Sequence, residues 1–283
     1  MAMARSDMVP ALLSAACIVL AIALVLSLAS NSALRDDREQ EDELFAHATL
    51  VRAQSILADE LWSISQGVLD ASAELRGQDL GSGDATAVLA DLTAISGHIV
   101  NAVNMNSTGH IVNAYPESYG HVIGEYVGDH AATVEMVELG KPVFSDVFSA
   151  VEGFEAAVIA YPVFDADDRI VGSVTALFRT EDMMNVLFQG LAIESSAGIM
   201  VEQVDGRILY DADPEQVGKY TFEDPLYQRS PSLLELAEQV SERYSGQGEY
   251  DFSTEEGTAH KRAIWTSVTL HERSWRVLVY WTA

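Results

Sequence analysis

The sequence is poor in cysteine and in lysine. Cys17 is the only cysteine among 283 residues, so the chain can form no internal disulfide and no metal site built on a cysteine pair. The lysines are Lys141, Lys219 and Lys261, and 43 acidic against 16 basic residues give a formal net charge of -27. Such a surface repels phosphate backbones and anionic lipid headgroups. We therefore expect no nucleic-acid partner and no basic lipid-docking patch.

Motifs of the common enzyme classes are also missing. The chain has no phosphate-binding glycine loop, no nucleophile elbow and no paired metal histidines. The acidic quartet at residues 165–168 lacks the spacing and the closing glutamate of a calcium loop, so we expect a turn there. We expect no enzyme, no metal and no cofactor. Because 43 acids offer many pairs, an acid-pair hydrolase stays open as an alternative.

One long apolar stretch lies near the N-terminus. Residues 8–34 carry no charge, and residues 8–30 are long enough to cross a bilayer, which takes about 20 residues. A signal peptide has a shorter apolar region of about 7–15 residues, so the pattern favours an uncleaved transmembrane helix after a cytoplasmic segment at residues 1–7. Cleavage near residues 27–29 is the alternative. Arg5 before the span and Arg35 and Arg38 after it leave its orientation open on charge alone.

Residues 31–80 are predicted to form a long α-helix. Its apolar residues recur at alternating spacings of four and three, which places them on one face. This pattern indicates a packing helix and spacer, and a homodimer seam along the same face is the alternative. Glycines at positions 77, 81 and 83 are expected to end the helix and form a linker. The apolar face consists of Leu57, Leu61, Ile64, Val68, Ala71 and Leu75.

Short strands are predicted in two successive sets after this linker. Apolar runs bounded by turn residues indicate the strands, and capping acids indicate the helices between them. The first set has strands at residues 98–103, 110–114, 143–148, 156–164 and 170–178 and a helix at 180–189 capped by Thr180. The second set has strands at residues 198–203, 207–211, 248–253, 259–270 and 275–281 and a helix at 233–244.

The two sets also share a sequence pattern. Residues 109–124 read GHIVNAYPESYGHVIG and residues 206–218 read GRILYDADPEQVG. Each has a turn glycine, a strand, a loop and a second glycine, and the copies lie 97 residues apart (206 − 109). This distance suits a duplicated domain rather than a short repeat. The expected fold is α+β, with two antiparallel-sheet modules that carry helices on one face.

These stretches resemble the double Cache sensor family, the tandem PAS-like ligand-binding modules of chemoreceptors and sensor kinases. The resemblance rests on residues 140–178, 208–225 and 245–252 and on the Lys261, Trp265 and Trp275 pattern. It covers roughly residues 33–283 and implies a membrane-distal module at residues 81–190 and a membrane-proximal module at residues 191–283. It also implies that the part after the span is extracytoplasmic and captures a small molecule.

The resemblance implies that the ligand is held in the distal module. The Arg-x-Trp-Tyr stretch of amino-acid-binding members has no counterpart at residues 130–145, so we expect an organic acid or an amine instead. Asp146, predicted between two phenylalanines on a strand face, would need a ligand amine, an arginine or solvent as its partner. The distal candidates are Tyr115, Tyr119, His121, Asp146, Phe148, Glu152, Tyr161 and Arg179. A secondary pocket is expected around Tyr210, Asp211, Asp213, Tyr227 and Lys261.

Together these patterns predict a membrane-anchored, single-pass extracytoplasmic sensor module that binds a small molecule. No kinase, phosphodiesterase or methyl-accepting segment is present, so we expect signalling through a partner protein or a homodimer. The alternative from another class is a surface structural or adhesive protein whose pockets are filled by its own side chains.

Overall fold

The computed structural model describes the backbone of residues 5–189, 191, 197–254 and 257–282, and the side chains of these residues from Arg38 onward. The chain forms two units, Met1–His47 and Ala48–Ala283. The first unit is helical wherever it is described, including the backbone of the predicted span at residues 8–30, whose side chains lie outside the described residues. Among the described residues, no helix is long and apolar enough to cross a membrane. The anchor therefore remains a prediction.

The first helix, α1, runs from Arg5 to Glu74. Within the second unit its predicted apolar face is buried, since Leu57, Ile64 and Val68 are fully enclosed. The helix ends at Glu74, whereas the sequence predicts that it continues to residue 80. The backbone turns because Gly77 adopts a positive φ of 72°, and its N–H donates to the carbonyl of Phe164 at 3.3 Å.

A second helix, α2 (Gly83–Ile95), occupies part of the segment predicted to be a linker. Its N-terminus is capped by Ser82, whose side-chain oxygen accepts the backbone N–H of Ala85 at 3.2 Å. Its apolar residues Val88, Leu89 and Leu92 are buried. The serine cap and this spacing favour a helix in spite of the neighbouring glycines.

The distal module is built on an antiparallel sheet whose strands run in the order β2-β1-β6-β5-β3, with β4 paired to β5. The predicted strand at residues 143–148 is broken into two short strands, because the N–H of Val147 donates to the Gln203 side chain of the other module rather than to the sheet. The predicted cap Thr180 is already helical, and Arg179 takes the cap position. The strands are β1 (Ile99–Asn106), β2 (Ile111–Tyr115), β3 (Val143–Phe144), β4 (Phe148–Ser149), β5 (Glu155–Phe164) and β6 (Ile170–Phe178), and the helices that follow β2 and β6 are α3 (Ala131–Leu139) and α4 (Thr180–Phe188).

The proximal module repeats this architecture with an antiparallel sheet in the order β8-β7-β11-β10-β9. Each strand occupies the place of a distal counterpart: β7 and β8 stand where β1 and β2 stand, and β11, β10 and β9 where β6, β5 and β3 stand. The two antiparallel sheets confirm the α+β prediction. The elements are β7 (Ala197–Gln203), β8 (Ile208–Asp211), α5 (Pro231–Glu242), β9 (Gly246–Thr254), β10 (Gly257–Leu270) and β11 (Arg273–Thr282).

Helices cover the inner face of each sheet. In the distal module Met136 of α3 packs with Met105 and Ala160 of the sheet. In the proximal module Leu236 and Val240 of α5 pack with Trp265. Each module therefore has space between its sheet and one helix, and this space is where a ligand site can form.

Candidate ligand-binding cavity

A cavity of about 120 Å³ lies between the proximal sheet and α5. Its apolar wall comes from Leu236 and Ala237 on α5 and from Met200, Ala263 and Leu278 on the sheet. Side chains two apart along a strand point to the same face, so Glu202 shares the cavity face with Met200. An apolar space with a few polar groups on its walls is typical of small-molecule sites.

Glu202 is the most deeply buried acid of the cavity, with 3% of its surface exposed. Its Oε2 lies 3.4 Å from the hydroxyl of Thr221, which donates to it. Arg276 lies opposite it on β11, but the guanidinium donates to the carbonyls of Val240 and Ser241 and to the hydroxyl of Ser267. Burial raises the pKa of Glu202 to about 8, so its carboxyl is protonated at neutral pH.

Asp211 supplies a second carboxyl at the end of β8. Its Oδ1 accepts a hydrogen bond from the hydroxyl of Tyr280 at 2.8 Å and another from the backbone N–H of Asp213 at 2.7 Å. Burial raises its pKa to about 6, against the lowering effect of these hydrogen bonds. At neutral pH Asp211 is therefore ionised while Glu202 is not.

Lys261 of β10 brings a positive charge to the same cavity. Its ammonium nitrogen lies 5.0 Å from the centre of the Phe252 ring and 4.8 Å from that of the Tyr280 ring, a cation–π arrangement. Among the described residues it has no ion-pair partner within 4.0 Å. Burial lowers the pKa of Lys261, while the charges of Asp211 and Asp213 act in the opposite direction.

Four of the five secondary candidates line this cavity: Asp211, Asp213, Tyr227 and Lys261. Tyr210 lies outside it, and its ring packs edge-on against Phe188 at 5.2 Å. The lining also contains residues that were not predicted from the sequence, among them Glu202, Tyr250 and Tyr280. The available signal was strand alternation: Glu202 is the only charged residue of β7, and it lies two positions after Met200.

A smaller cavity of about 60 Å³ lies between the distal sheet and α3. Of the eight distal candidates it contains Phe148 and Glu152. The carboxylate of Glu152 already accepts a hydrogen bond at 2.6 Å from the side-chain amide of Asn101. The rest of the lining is largely apolar and includes Val103, Met105, Met136 and Leu177.

Asp146 lies at the junction of the two modules, outside this distal cavity. Its carboxylate accepts a hydrogen bond at 2.6 Å from Arg273, which also contacts Glu135 at 3.0 Å and the carbonyl of Phe144 at 3.2 Å. Burial raises the pKa of Asp146, and Arg273 opposes that rise. The partner that the sequence required for this aspartate is an arginine of the protein itself.

Tyr161 also takes part in contacts between parts of the fold rather than in the cavity. Its hydroxyl lies 3.0 Å from the hydroxyl of Ser65 on α1 and 3.3 Å from Nε2 of His271. Nε2 of His271 lies 2.9 Å from the same serine oxygen. This three-residue cluster connects α1, the distal strand β5 and the turn between β10 and β11.

The remaining distal candidates lie away from both cavities. Arg179 forms an ion pair with Asp182 at 3.1 Å and lies over the ring of Phe154. Tyr115 ends β2, and Tyr119 and His121 follow in a short 3₁₀ turn in which His121 is exposed. These positions are outside the lining of the distal cavity.

The two sheets, each with a cavity beneath a covering helix, form a tandem α+β fold. Comparison with known proteins agrees: residues 59–180 match the family model described as HK/GC/chemotaxis protein-like, sensor domain. The resemblance to the double Cache sensor family is therefore confirmed. No curated protein matches the chain.

Solved structures with a similar fold include a receptor and two chemoreceptor domains. An extracellular ligand binding receptor from Desulfohalobium retbaense is 26% identical, with a TM-score of 0.72 over 83% of this chain. This chain spans 40% of that receptor's length. The periplasmic sensory domain of the Campylobacter jejuni chemoreceptor Tlp1 is 15% identical, with a TM-score of 0.63 over 86% of this chain and 95% of that one. The Pseudomonas aeruginosa PAO1 chemoreceptor domain PctB, solved with L-Gln, is 14% identical, with a TM-score of 0.57 over 84% and 88%.

Proposed function

We propose that this chain is an extracytoplasmic small-molecule sensor whose ligand occupies the cavity under α5 in the proximal module. The observation that carries the proposal is an apolar cavity of about 120 Å³ onto which Glu202, Asp211 and Lys261 converge. The distal cavity has half that volume, about 60 Å³, and its Glu152 is already hydrogen-bonded to Asn101. The proposal therefore moves the ligand from the distal module, which the sequence favoured, to the proximal one.

The proposal includes the anchor at residues 8–30 and signalling through a partner protein or a homodimer. The apolar length of that segment supports the anchor. The family match and the receptor domains of similar fold support a receptor role and a binding rather than a catalytic function. The α1 helix connects the predicted span to the sensor modules and is the segment through which a signal would pass.

The test is a thermal-shift screen of the full chain with carboxylates, amines, amino acids and purines. A ligand that binds only the folded state raises the melting temperature, because it adds about 2.7 kcal/mol to the free energy of unfolding at a hundred times its Kd. Two matched variants show which of the two cavities the ligand occupies. Ala237 on α5 lines the proximal cavity and Ala132 on α3 lines the distal one.

We expect Ala237→Leu to abolish the ligand-induced shift, because the added side chain fills the cavity, and Ala132→Leu to preserve it. A shift that survives Ala237→Leu and disappears in Ala132→Leu would place the ligand in the distal module and contradict the proposal. The absence of any shift across the panel would support the structural or adhesive alternative.

A further inference from the structure

Two tyrosine hydroxyls at the proximal cavity have already donated their protons to neighbouring side chains. The hydroxyl of Tyr280 donates its proton to Asp211, and that of Tyr227 donates to the side-chain oxygen of Gln216. Each hydroxyl has only one proton, so what it can still offer is an acceptor lone pair. A ligand rich in N–H donors matches these walls.

The charged groups of the cavity lining also favour a positively charged ligand. Three carboxyl groups line it, those of Glu202, Asp211 and Asp213, against one described cation, Lys261. Burial and the negative field of Asp211 and Glu202 raise the pKa of Tyr227 and of Tyr250. The cavity is therefore a place where a second positive charge can be accommodated.

Glu202 is a buried carboxyl that makes no ion pair within 4.0 Å with any described residue. Its only described hydrogen bond is the one from Thr221, and the guanidinium of Arg276 is committed to carbonyls at the end of α5 and to Ser267. The charged groups that face it are Arg276 on β11, Asp211 on β8 and Asp205 in the turn after β7. A cation entering the cavity would supply the missing partner.

The aromatic walls can hold an alkylammonium group, because the side chain of Lys261 already places one over the rings of Phe252 and Tyr280. The opposite wall, formed by Leu236, Ala237 and Val240, suits an apolar body. An ammonium ion with a short hydrocarbon chain would therefore meet both surfaces of the cavity.

Building on the proposed function, we propose that the ligand is a primary organic ammonium ion with an apolar body, bound with its ammonium group against Glu202 and Asp211. The carboxyl of Glu202 then gives its proton to solvent, and the resulting carboxylate pairs with the bound ammonium ion. One proton is released for each ligand bound, and no bond within the ligand changes. Because the pKa of Glu202 in the empty cavity is about 8, this release is measurable at pH 7.

The test uses three probes with the same branched hydrocarbon: 3-methylbutylamine, leucine and 4-methylpentanoate. Thermal shift and titration calorimetry are performed on the full chain at pH 7 in buffers of different ionisation enthalpy. We expect 3-methylbutylamine to bind and to release about one proton.

Glu202→Gln keeps the size of the side chain but cannot ionise, so it should lower the affinity for the amine by roughly tenfold or more and abolish proton release. Glu235→Gln, on the exposed side of α5, should change neither.

Binding of 4-methylpentanoate alone, or of leucine alone, would overturn the ammonium proposal and leave the proposed function intact, provided that Ala237→Leu blocks that binding. Equal amine affinity in the wild type and in Glu202→Gln, without proton release, would also overturn it. Failure of every compound in the broad panel would instead reject the proposed function. The two failures are therefore distinguishable.

Discussion

The two modules have the same strand order but differ in the side chains that face the covering helix. The 97-residue offset of the sequence repeat aligns Met105 with Glu202 (202 − 105 = 97) and Ala114 with Asp211 (211 − 114 = 97). At these two positions the distal module has a buried apolar residue and the proximal module has a buried acid. The difference teaches that the same strand order can carry an apolar cavity in one module and a cavity with buried acids in the other, according to the side chains on the inward face.

The strongest test of this difference between the modules is to place an acid in the distal core at the position that corresponds to Glu202. Met105→Glu puts a carboxyl among Met136, Val143 and Ala160, where no basic partner lies within the cluster. We expect a loss of about 3–5 kcal/mol in the free energy of unfolding at pH 8, because the buried charge is unpaired. The loss should be smaller at pH 5, where the new carboxyl is protonated.

Chemical denaturation at the two pH values measures this effect. Met105→Leu, which conserves the apolar character, is the matched control and should cost less than about 1.5 kcal/mol. Equal loss in the glutamate and leucine variants would show that the distal core tolerates an acid, and the contrast between the modules would then have no energetic basis.

The reciprocal exchange, Glu202→Met, should stabilise the proximal module. The folded-state pKa of Glu202, about 8, lies above its ordinary value of 4.5. Between these values the folded state retains a proton that the unfolded state has released, so this group makes stability fall as the pH rises from 4.5 to 8.

In Glu202→Met the free energy of unfolding should fall less steeply with pH than in the wild type. The variant should therefore become more stable than the wild type as the pH rises, by about 2 kcal/mol near pH 8. Denaturation curves from pH 5 to pH 8 provide the measurement, and Glu235→Met on the exposed side of α5 is the control. The prediction would be contradicted by a gain that shrinks as the pH rises.

The smallest expected effect concerns the junction between the modules. Arg273→Gln removes the ion pairs with Asp146 and Glu135, which are partly exposed. We expect a loss of about 1 kcal/mol, in line with partly exposed charge pairs. Arg169→Gln removes an exposed pair with Asp167 within the distal module and should cost less.

A double-mutant cycle of Arg273→Gln with Asp146→Asn isolates the pair across the junction. A coupling energy near zero would mean that this ion pair adds nothing to the junction, which would then rest on other contacts, such as Trp275 against Phe144, whose ring centres are 4.6 Å apart, and the hydrogen bond from Val147 to Gln203.

Much of the fold could be predicted from the sequence because its repeat and its strand alternation are local signals. Helix α2 was missed because Gly81 and Gly83 read as a linker, although Ser82 provides a cap. The broken strand near Val147 could not be foreseen, since its partner Gln203 is 56 residues away in the other module. Local patterns thus identify elements, while contacts between modules decide where those elements stop.

The site was predictable only in part for a related reason. Asp211 and Lys261 belong to the secondary pocket predicted from the sequence, whereas Glu202 does not. Which face of the sheet α5 covers is a tertiary fact, and it alone turns Glu202 into a buried acid. The same limit applies to Asp146, whose arginine partner lies 127 residues further along the chain.

The length of β10 has a structural consequence. This strand carries Lys261 at the cavity and ends at Leu270, beside the His271 that contacts Ser65 of α1. The nine residue steps from Lys261 to Leu270 cover about 30 Å of extended chain, and β10 pairs with β11 along this whole stretch. The cavity and the contact with the long helix therefore lie at the two ends of one continuous strand.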